Sequence, residues 1–155
     1  MPSENLKIDL IDKRILEHLA GDSRKTYQEI ADDLKLATAT IHSRVSRLRQ
    51  SGVIKGSHVD LDFEMLGFLV TSFIGVNLTT AKAVTPVVKK LESFPEVTSV
   101  HYTTGQYSLF VKIVTKTTQD LHLFLINKLQ TIEDISSTET FISLDNPVDR
   151  FRALD

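Results

Sequence analysis

The N-terminal fold is decided by one stretch, TATIHSRVSRLRQS at residues 38–51. Ile41, Val45 and Leu48 recur at helical spacing, which predicts an amphipathic helix with one buried stripe. Gly52 follows at the position where helices commonly end. Steps of 100° per residue from Ile41 put small or hydrogen-bonding side chains on the far side: Ala39, Thr40, Ser43, Ser46, Arg47 and Gln50. One face of this helix therefore packs, and the other is open to a partner.

Two shorter helices are predicted before this stretch. Asp9 can cap a first helix in which Ile15 and Leu19 share a stripe. Thr26-Tyr-Gln-Glu29 has the spacing of a capping box and opens a second helix, and a tight turn at 35–37 leads into the third. Three short helices around a tight turn predict a helix-turn-helix, winged-helix-like domain at residues 1–56.

The start of the third helix lacks one common signal. Ala37 cannot accept a capping hydrogen bond, so Thr38 is expected to cap the helix unless the helix start shifts.

Charge is distributed unevenly along the chain, whose net charge is −2. Every charged residue between positions 35 and 56 is positive: Lys35, Arg44, Arg47, Arg49 and Lys55. A local basic patch on an acidic body is typical of a selective DNA-binding protein. Short side chains at the start of the third helix would let its backbone approach base edges in the major groove.

We predict DNA contacts from this basic region. Arg24 and Lys25 suit phosphates, whereas Arg47 and Gln50 can reach either bases or phosphates. The full candidate set is Arg24, Lys25, Thr38, Thr40, His42, Ser43, Ser46, Arg47 and Gln50. Arg44 lies nearer the buried stripe, so an ion pair with an acidic group such as Asp12 competes with a DNA contact. A plain solvated surface helix is the alternative for the whole region.

The second half of the chain has a different pattern. Residues 57–66 are expected to form a linker, and residues 67–155 a second domain. Strand patterns and helix patterns alternate there as βαββαβ, which is the ferredoxin-like order and makes the whole chain α+β. The predicted strands are 68–78, 97–103, 108–114 and 138–144, and the predicted helices are 81–94 and a segment from Thr117 through Ile132.

The chain resembles regulators of the Lrp/AsnC family. Ile8-Asp9-Leu10-Ile11-Asp12, followed by Ile15-Leu16, Leu19, Asp22 and Arg24, is similar to the family's opening pattern L-D-x-x-D-x-x-I-L-x-x-L-x-x-D-x-R. Tyr102-Thr-Thr-Gly-Gln-Tyr-Ser108 and the segment from Leu125 to Thr140 resemble asparagine-responsive members. The resemblance implies a regulator that binds double-stranded promoter DNA and controls amino-acid (asparagine) metabolism genes. It also implies L-asparagine as effector with no cofactor, and homodimers paired through their sheets that assemble into octamers.

Two loops are candidates for effector binding. Backbone N–H groups around Gly105 can hold a carboxylate, and Gln106 can pair with a side-chain amide. The candidate residues are Tyr102, Thr103, Thr104, Gly105, Gln106, Tyr107, Ser137, Thr138, Glu139 and Thr140. An ordinary hairpin turn and a helix-to-strand connection are the alternative. Many relatives carry acidic residues where this chain has Gln106 and Ser108, which indicates a differently tuned ligand.

Composition excludes several functions. Without cysteine there is no disulfide, thiolate metal site or cysteine nucleophile. No apolar run reaches the roughly 18 residues of a bilayer span, so no membrane association is expected and the cytoplasm is the predicted compartment. The five histidines show no zinc-ligand spacing, and no metal site is expected.

Three rival functions remain open. A small ferredoxin-like enzyme would have to use Asp60, Asp62 and Glu64 around a divalent ion, although solvated charges are commoner. A family member that responds to another amino acid is the second rival. A binding or scaffolding module without DNA function is the third, and it leaves the basic helix unexplained. We therefore predict a regulator and no enzyme, with no catalytic residues.

Overall fold

The computed structural model of the chain describes residues 7–59, 61–148 and 154. These residues fall into two compact units. The N-terminal unit comprises the described residues before position 60 together with Val148 and Leu154, and the C-terminal unit spans Leu61–Pro147. None of the described helices is long and apolar enough to cross a membrane.

The N-terminal unit contains three helices among its described residues: α1 (Leu10–Gly21), α2 (Tyr27–Leu34) and α3 (Thr38–Gln50). Their apolar stripes meet in one buried core, formed by Ile15, Ile30, Ala31, Ile41 and Val45. This arrangement confirms the predicted helix-turn-helix, because each stripe read from the sequence faces the other two.

Asp9 and Thr26 cap α1 and α2 as predicted, and each does so through a reciprocal pair of hydrogen bonds. Asp9 accepts a bond from the Asp12 backbone N–H at 2.8 Å and donates its own N–H to the Asp12 carboxylate at 3.1 Å. Thr26 and Glu29 make the same exchange at the start of α2. Each pair satisfies N–H groups that have no partner inside a helix.

The start of α3 differs from the expected cap. Lys35 makes the tight turn with a φ of 56°, and Ala37 then precedes the helix without a side-chain cap. The hydroxyl of Thr38 donates to Oε1 of Gln28 on α2 at 2.6 Å. The prediction that Thr38 caps α3 was therefore wrong, because Thr38 is the first residue inside the helix and Ala37 occupies the capping position.

The segment after α3 forms no strand within residues 51–59. Gly52, with a φ of 77°, ends the helix as predicted. The backbone N–H of Ile54 donates to the Leu48 carbonyl at 3.1 Å, and the Ile54 side chain packs against the core of the N-terminal unit. Packing therefore overrides the strand preference of Ile54.

The C-terminal unit is a four-stranded antiparallel sheet with two helices. In chain order it contains β1 (Val70–Leu78), α4 (Val84–Glu92), β2 (Val97–Tyr102), β3 (Leu109–Thr115), α5 (Thr118–Asn127) and β4 (Ile135–Ile142). The strands lie in the order β2-β3-β1-β4, and each neighbouring pair is antiparallel. The predicted βαββαβ order and the α+β class are confirmed.

Several element boundaries in this unit differ from the sequence expectation, and α5 ends at Asn127, before the predicted end at Ile132. β4 begins at Ile135, three residues before the predicted start at Thr138, and residues 81–83 form a turn of 3-10 helix before α4. Ser137 pairs with Asn77 inside the sheet, so the segment around it is strand and not a connection. Polar side chains are tolerated there because β4 is an edge strand and one of its faces is open.

The sheet has a helix-covered face and an opposite face. Ile74, Val111 and Ile113 are fully buried in the core that includes residues of α4 and α5. Because side chains alternate along a strand, Phe73 and Phe110 lie on the face away from the helices, where their rings stack with centroids 5.9 Å apart. Phe141 adjoins Phe110 on this aromatic face.

Candidate nucleic-acid interface and ligand site

The outward face of α3 carries the side chains that the sequence assigned to it. Five of the six are exposed, namely Ala39, Ser43, Ser46, Arg47 and Gln50, and the neighbouring His42 is exposed as well. Ile41, Val45 and Leu48 on the other side are at most 1% exposed. Thr40 is half-buried and lines a shallow open depression together with Ala39, Ser43, Arg44 and Arg47. Small side chains bordered by two guanidinium groups suit the edge of a nucleic-acid duplex.

Arg44 and Arg47 reach from α3 to the start of α1. Arg44 donates to Oδ2 of Asp9 at 2.7 Å and to Oδ1 of Asp12 at 2.8 Å. Arg47 donates to Oδ2 of Asp12 at 2.5 Å. The Asp12 side chain is 0% exposed, whereas that of Arg47 is 46% exposed. The predicted Arg44–Asp12 pair is confirmed, and the pairing of Arg47 with the same carboxylate was missed.

Hydrogen bonds in this cluster favour the charged forms of Asp9 and Arg44. The pKa of Asp9 is lowered, first because the Asp12 backbone N–H binds its carboxylate and next because Arg44 does. The pKa of Arg44 is raised by its hydrogen bonds to Asp9 and Asp12. Two positive and two negative groups make the cluster neutral as a whole, so the arginines are fixed in place without a net local charge.

The two basic residues before α2 differ in availability. Lys25 donates to Oδ2 of Asp33 at 2.6 Å, and this bond lowers the pKa of Asp33. The Arg24 side chain is 93% exposed, and its Nε lies 3.7 Å from the exposed carboxylate of Asp22. Arg24 is therefore free to move onto a phosphate, whereas Lys25 would have to exchange its partner.

Two further candidates join α3 to α2. The ring of His42 meets that of Tyr27 edge-on, with centroids 4.5 Å apart. Thr38 is bonded to Gln28 as described above. Both side chains therefore hold α3 against the start of α2.

The first candidate ligand segment is a hairpin loop between β2 and β3. Thr103 donates its N–H to the Ser108 carbonyl at 3.1 Å and its hydroxyl to the Tyr107 carbonyl at 2.7 Å. Gly105 has a φ of 118°, a conformation that side-chain-bearing residues rarely adopt. Thr104, Gly105 and Gln106 are exposed, so the loop is both a tight hairpin and an accessible set of backbone donors.

The second candidate segment lies within β4, and its side chains alternate between the two faces of the sheet. Glu139 pairs with Gly75 and Ser137 with Asn77, so both lie on the aromatic face. Thr138 and Thr140 pair with Val76 and Ile74 and lie on the helix side. These four residues therefore do not converge on one point within a single chain.

Tyr107 joins the two candidate segments. Its hydroxyl donates to the Glu139 carboxylate, and this bond raises the pKa of Tyr107. Its ring covers Gly75, where an added Cβ would come within 2.6 Å of the ring carbons. A glycine at the centre of β1 thus makes room for the ring that fixes the hairpin loop to β4.

The structure offers no support for the metal-dependent alternative. Among the positions that the structure describes, no group of three or more acidic or histidine side chains could hold a metal ion. Asp60 lies outside the described residues. Asp62 accepts the N–H of Met65 at 3.0 Å, at the start of a turn formed by residues 63–67.

Both parts of the chain match known domain families. Residues 71–153 match the Lrp/AsnC ligand binding domain, and residues 8–55 match a winged helix-turn-helix DNA-binding domain. The chain belongs to the Lrp/AsnC family. Like other members, it is a transcriptional regulator with a helix-turn-helix DNA-binding domain and an amino-acid-binding domain.

The similarity extends over nearly the whole chain. Regulatory protein AsnC of Haemophilus influenzae is 48% identical over 141 residues, which is 91% of this chain and 94% of that protein. Regulatory protein AsnC of Escherichia coli K12 is 45% identical over 147 residues, 95% of this chain and 97% of that protein. The structure of E. coli AsnC superposes with a TM-score of 0.89 at 44% identity, covering 95% of this chain and 99% of that one. These Lrp/AsnC relatives are regulators and not enzymes, which confirms the predicted class.

Sequence reasoning missed two contacts for different reasons. Asp12 stands three residues before Ile15 on the buried stripe of α1, and a charged group on such a stripe needs partners. The position of Asp12 therefore predicts basic partners, and both Arg44 and Arg47 could have been expected from it. The contact of Tyr107 with Gly75 depends on strand register across the sheet, and no local pattern indicates it.

Proposed function

We propose that this Lrp/AsnC regulator binds promoter DNA through the outward face of α3 and responds to L-asparagine, thereby controlling genes of amino-acid and asparagine metabolism. The observation that carries the proposal is the depression on α3, in which small side chains lie between two fixed arginines. We also propose that the protein acts in the cytoplasm, where a bacterial regulator reaches its promoters.

In the proposed complex α3 lies in the major groove. Ser43, Ser46 and Gln50 face base edges, and Arg47 reaches a base or an adjacent phosphate. Arg24 and Lys25 hold phosphates beside the groove, because long cationic side chains position a duplex without reading it. Thr38, Thr40 and His42 complete the contact surface near the start of α3.

The proposed effector site uses the hairpin loop and β4. Exposed backbone N–H groups at 104–106 would hold the amino-acid carboxylate, and the Gln106 amide would pair with the amide of asparagine. The remaining candidates, Tyr102, Thr103, Tyr107, Ser137, Thr138, Glu139 and Thr140, would line the ligand. The names of the H. influenzae and E. coli relatives support asparagine as the first ligand to test.

We propose that the chain is a homodimer that assembles into an octamer. The aromatic face of the sheet supports pairing, because Phe73, Phe110 and Phe141 form a contiguous apolar surface away from the helices. In this arrangement residues 1–56 bind DNA, residues 57–66 link, and residues 67–155 bind the effector and assemble the subunits. Effector clefts would lie between neighbouring dimers.

DNA binding is tested with a duplex enriched by the protein from a random-sequence pool. We expect the enriched duplex to bind more tightly than a scrambled duplex, and its affinity to fall steeply with salt as phosphate contacts release counterions. Failure to enrich any sequence would contradict the proposed reading of promoters.

The effector is tested by calorimetry across the twenty amino acids. We expect asparagine to give binding heat and to raise the melting temperature, whereas aspartate, which matches it in size, should do neither. If another amino acid gives binding heat and asparagine gives none, asparagine is rejected as the effector. The assignment as a transcriptional regulator would still stand. Light scattering with and without asparagine would test for eight 17.4 kDa chains.

A further inference from the structure

Asp12 has an unusual position for a charged residue. It belongs to the first turn of α1, it is fully buried, and both of its carboxylate oxygens bind guanidinium groups of α3. Its Oδ2 also accepts the Asp9 N–H at 3.1 Å. A buried carboxylate is costly unless it is paired and hydrogen-bonded, and α3 supplies both arginine partners.

The two arginines that Asp12 holds are also the arginines of the candidate DNA surface. Arg44 and Arg47 line the depression on the outward face of α3, beside Thr40 and Ser43. The Arg47 side chain is 46% exposed, so one edge of its guanidinium binds Asp12 while the group still borders solvent. A guanidinium has five N–H donors and can serve a carboxylate and a nucleic-acid acceptor together.

We propose that Asp12 is a positioning residue that sets sequence discrimination by this regulator, and this inference rests on its binding DNA through α3. Asp12 orients Arg44 and Arg47 before the duplex arrives, so contacts at the correct site need little reordering. With Asp9 it also cancels the charge of the two arginines. The cluster therefore adds little to the counterion release that drives non-specific binding.

Removing the Asp12 charge should act in opposite directions on the two kinds of binding. In Asp12→Asn the arginines are less well oriented, and affinity for the enriched duplex falls by about tenfold, the size of one good side-chain contact. Affinity for calf-thymus DNA rises, and its salt slope steepens by about 0.9 for each phosphate newly neutralised. A purely structural loss would lower both affinities.

A charge-matched control separates positioning from net charge. Glu17→Gln removes one negative charge from an exposed position on the same helix. It should raise binding to calf-thymus DNA slightly and leave affinity for the enriched duplex unchanged. Of these two variants, Asp12→Asn alone should reduce the ratio of affinity for the enriched duplex to affinity for calf-thymus DNA by tenfold or more.

A second variant keeps the proposal testable if Asp12→Asn does not fold. Asp12→Glu keeps the negative charge beside the arginines but moves the carboxylate by one methylene. It should weaken binding to the enriched duplex by about tenfold, because the arginines are held differently, and leave calf-thymus binding and its salt slope unchanged. An unchanged affinity ratio in either folded variant would overturn the role of Asp12. A wild-type protein that enriches no duplex would instead overturn DNA reading itself.

Discussion

In the N-terminal unit a buried carboxylate of one helix, Asp12, fixes the arginines of another helix. In the C-terminal unit the candidate ligand segments are fixed by strand register and by the Tyr107 ring over Gly75. The arginines of α3 are oriented by side-chain contacts between helices. The ligand segments are positioned mainly by backbone pairing between strands. The DNA surface should therefore be most sensitive to charge changes, and the ligand segments to changes in side-chain volume.

The largest expected effect is on the N-terminal unit. Arg44→Met keeps most of the apolar stem but leaves Asp12 with one guanidinium partner. We expect the free energy of unfolding to fall by about 3 kcal/mol, the lower end of the range for a broken buried pair, since Arg47 still reaches Asp12. Urea denaturation followed by circular dichroism measures this loss.

The matched control for that prediction is Arg49→Met. Arg49 is exposed on the same helix, so its replacement should change the unfolding free energy by less than about 0.5 kcal/mol. Equal losses in the two variants would mean that the buried carboxylate does not organise α3.

The next effect is on the C-terminal unit. Gly75→Ala forces a Cβ against the Tyr107 ring and should cost about 1–3 kcal/mol while loosening the hairpin loop. In a Tyr107→Ala background the same change should cost less, because the ring is gone. A double-mutant cycle by thermal denaturation measures the coupling, and strictly additive losses would disprove it. Gly56→Ala, where nothing lies within 4 Å, serves as the neutral control.

A smaller effect should be shared by the two units. Thr26 starts α2 and Thr117 starts α5 with the same reciprocal capping bonds. Thr26→Ala and Thr117→Ala should each cost about 1 kcal/mol in chemical denaturation. Similar values would show that helix caps do not distinguish the units. A cost confined to one variant would mean that the caps contribute to the difference.

The smallest effects are pH dependences, because the groups are exposed and solvent screens them. The pKa values of Asp9, Glu29 and Asp33 are lowered by hydrogen bonds, chiefly from the Asp12 N–H, Thr26 and Lys25 respectively. Their stabilisation is complete above the unfolded pKa near 4 and is lost as pH falls through the lower folded values. The pKa of Tyr107 is raised by Glu139, so its stabilisation is present below about pH 10 and is lost as pH rises through the raised value.

The two units should therefore loosen at opposite ends of the pH range. Pulse-labelling hydrogen exchange after equilibration in acid should show the N-terminal unit exchanging first, and after equilibration in alkali the hairpin loop. Asp33→Asn should reduce the acid effect and Glu139→Gln the alkaline one. The reverse order of exchange would refute the assignment.

Local features of the fold were predictable from sequence. The caps at Asp9 and Thr26 were predictable because each capping bond spans three residues and depends on little else. Thr38 was misjudged because the helix begins at Thr38 itself and leaves Ala37 in the capping position. The early start of β4 was missed because Ser136 and Ser137 look like a loop when the neighbouring strand is unknown.

The candidate sites were predictable only as sets of residues. Helical phase placed Arg47 outward correctly for its backbone, but its long side chain turns back to Asp12. Tyr107 and Glu139 were named separately, and only the pairing of β1 with β3 and β4 brings them together. Contacts between distant elements require the three-dimensional fold.

The central claim is that the outward face of α3 meets duplex DNA. Because the chain has no cysteine, Ser43→Cys and Glu92→Cys each provide one unique attachment point for a photo-crosslinker. On the duplex enriched from a random pool, Ser43→Cys should crosslink to a base within the bound site, and Glu92→Cys on α4 should not. No crosslink from position 43 in a protein that still binds the duplex would contradict the account.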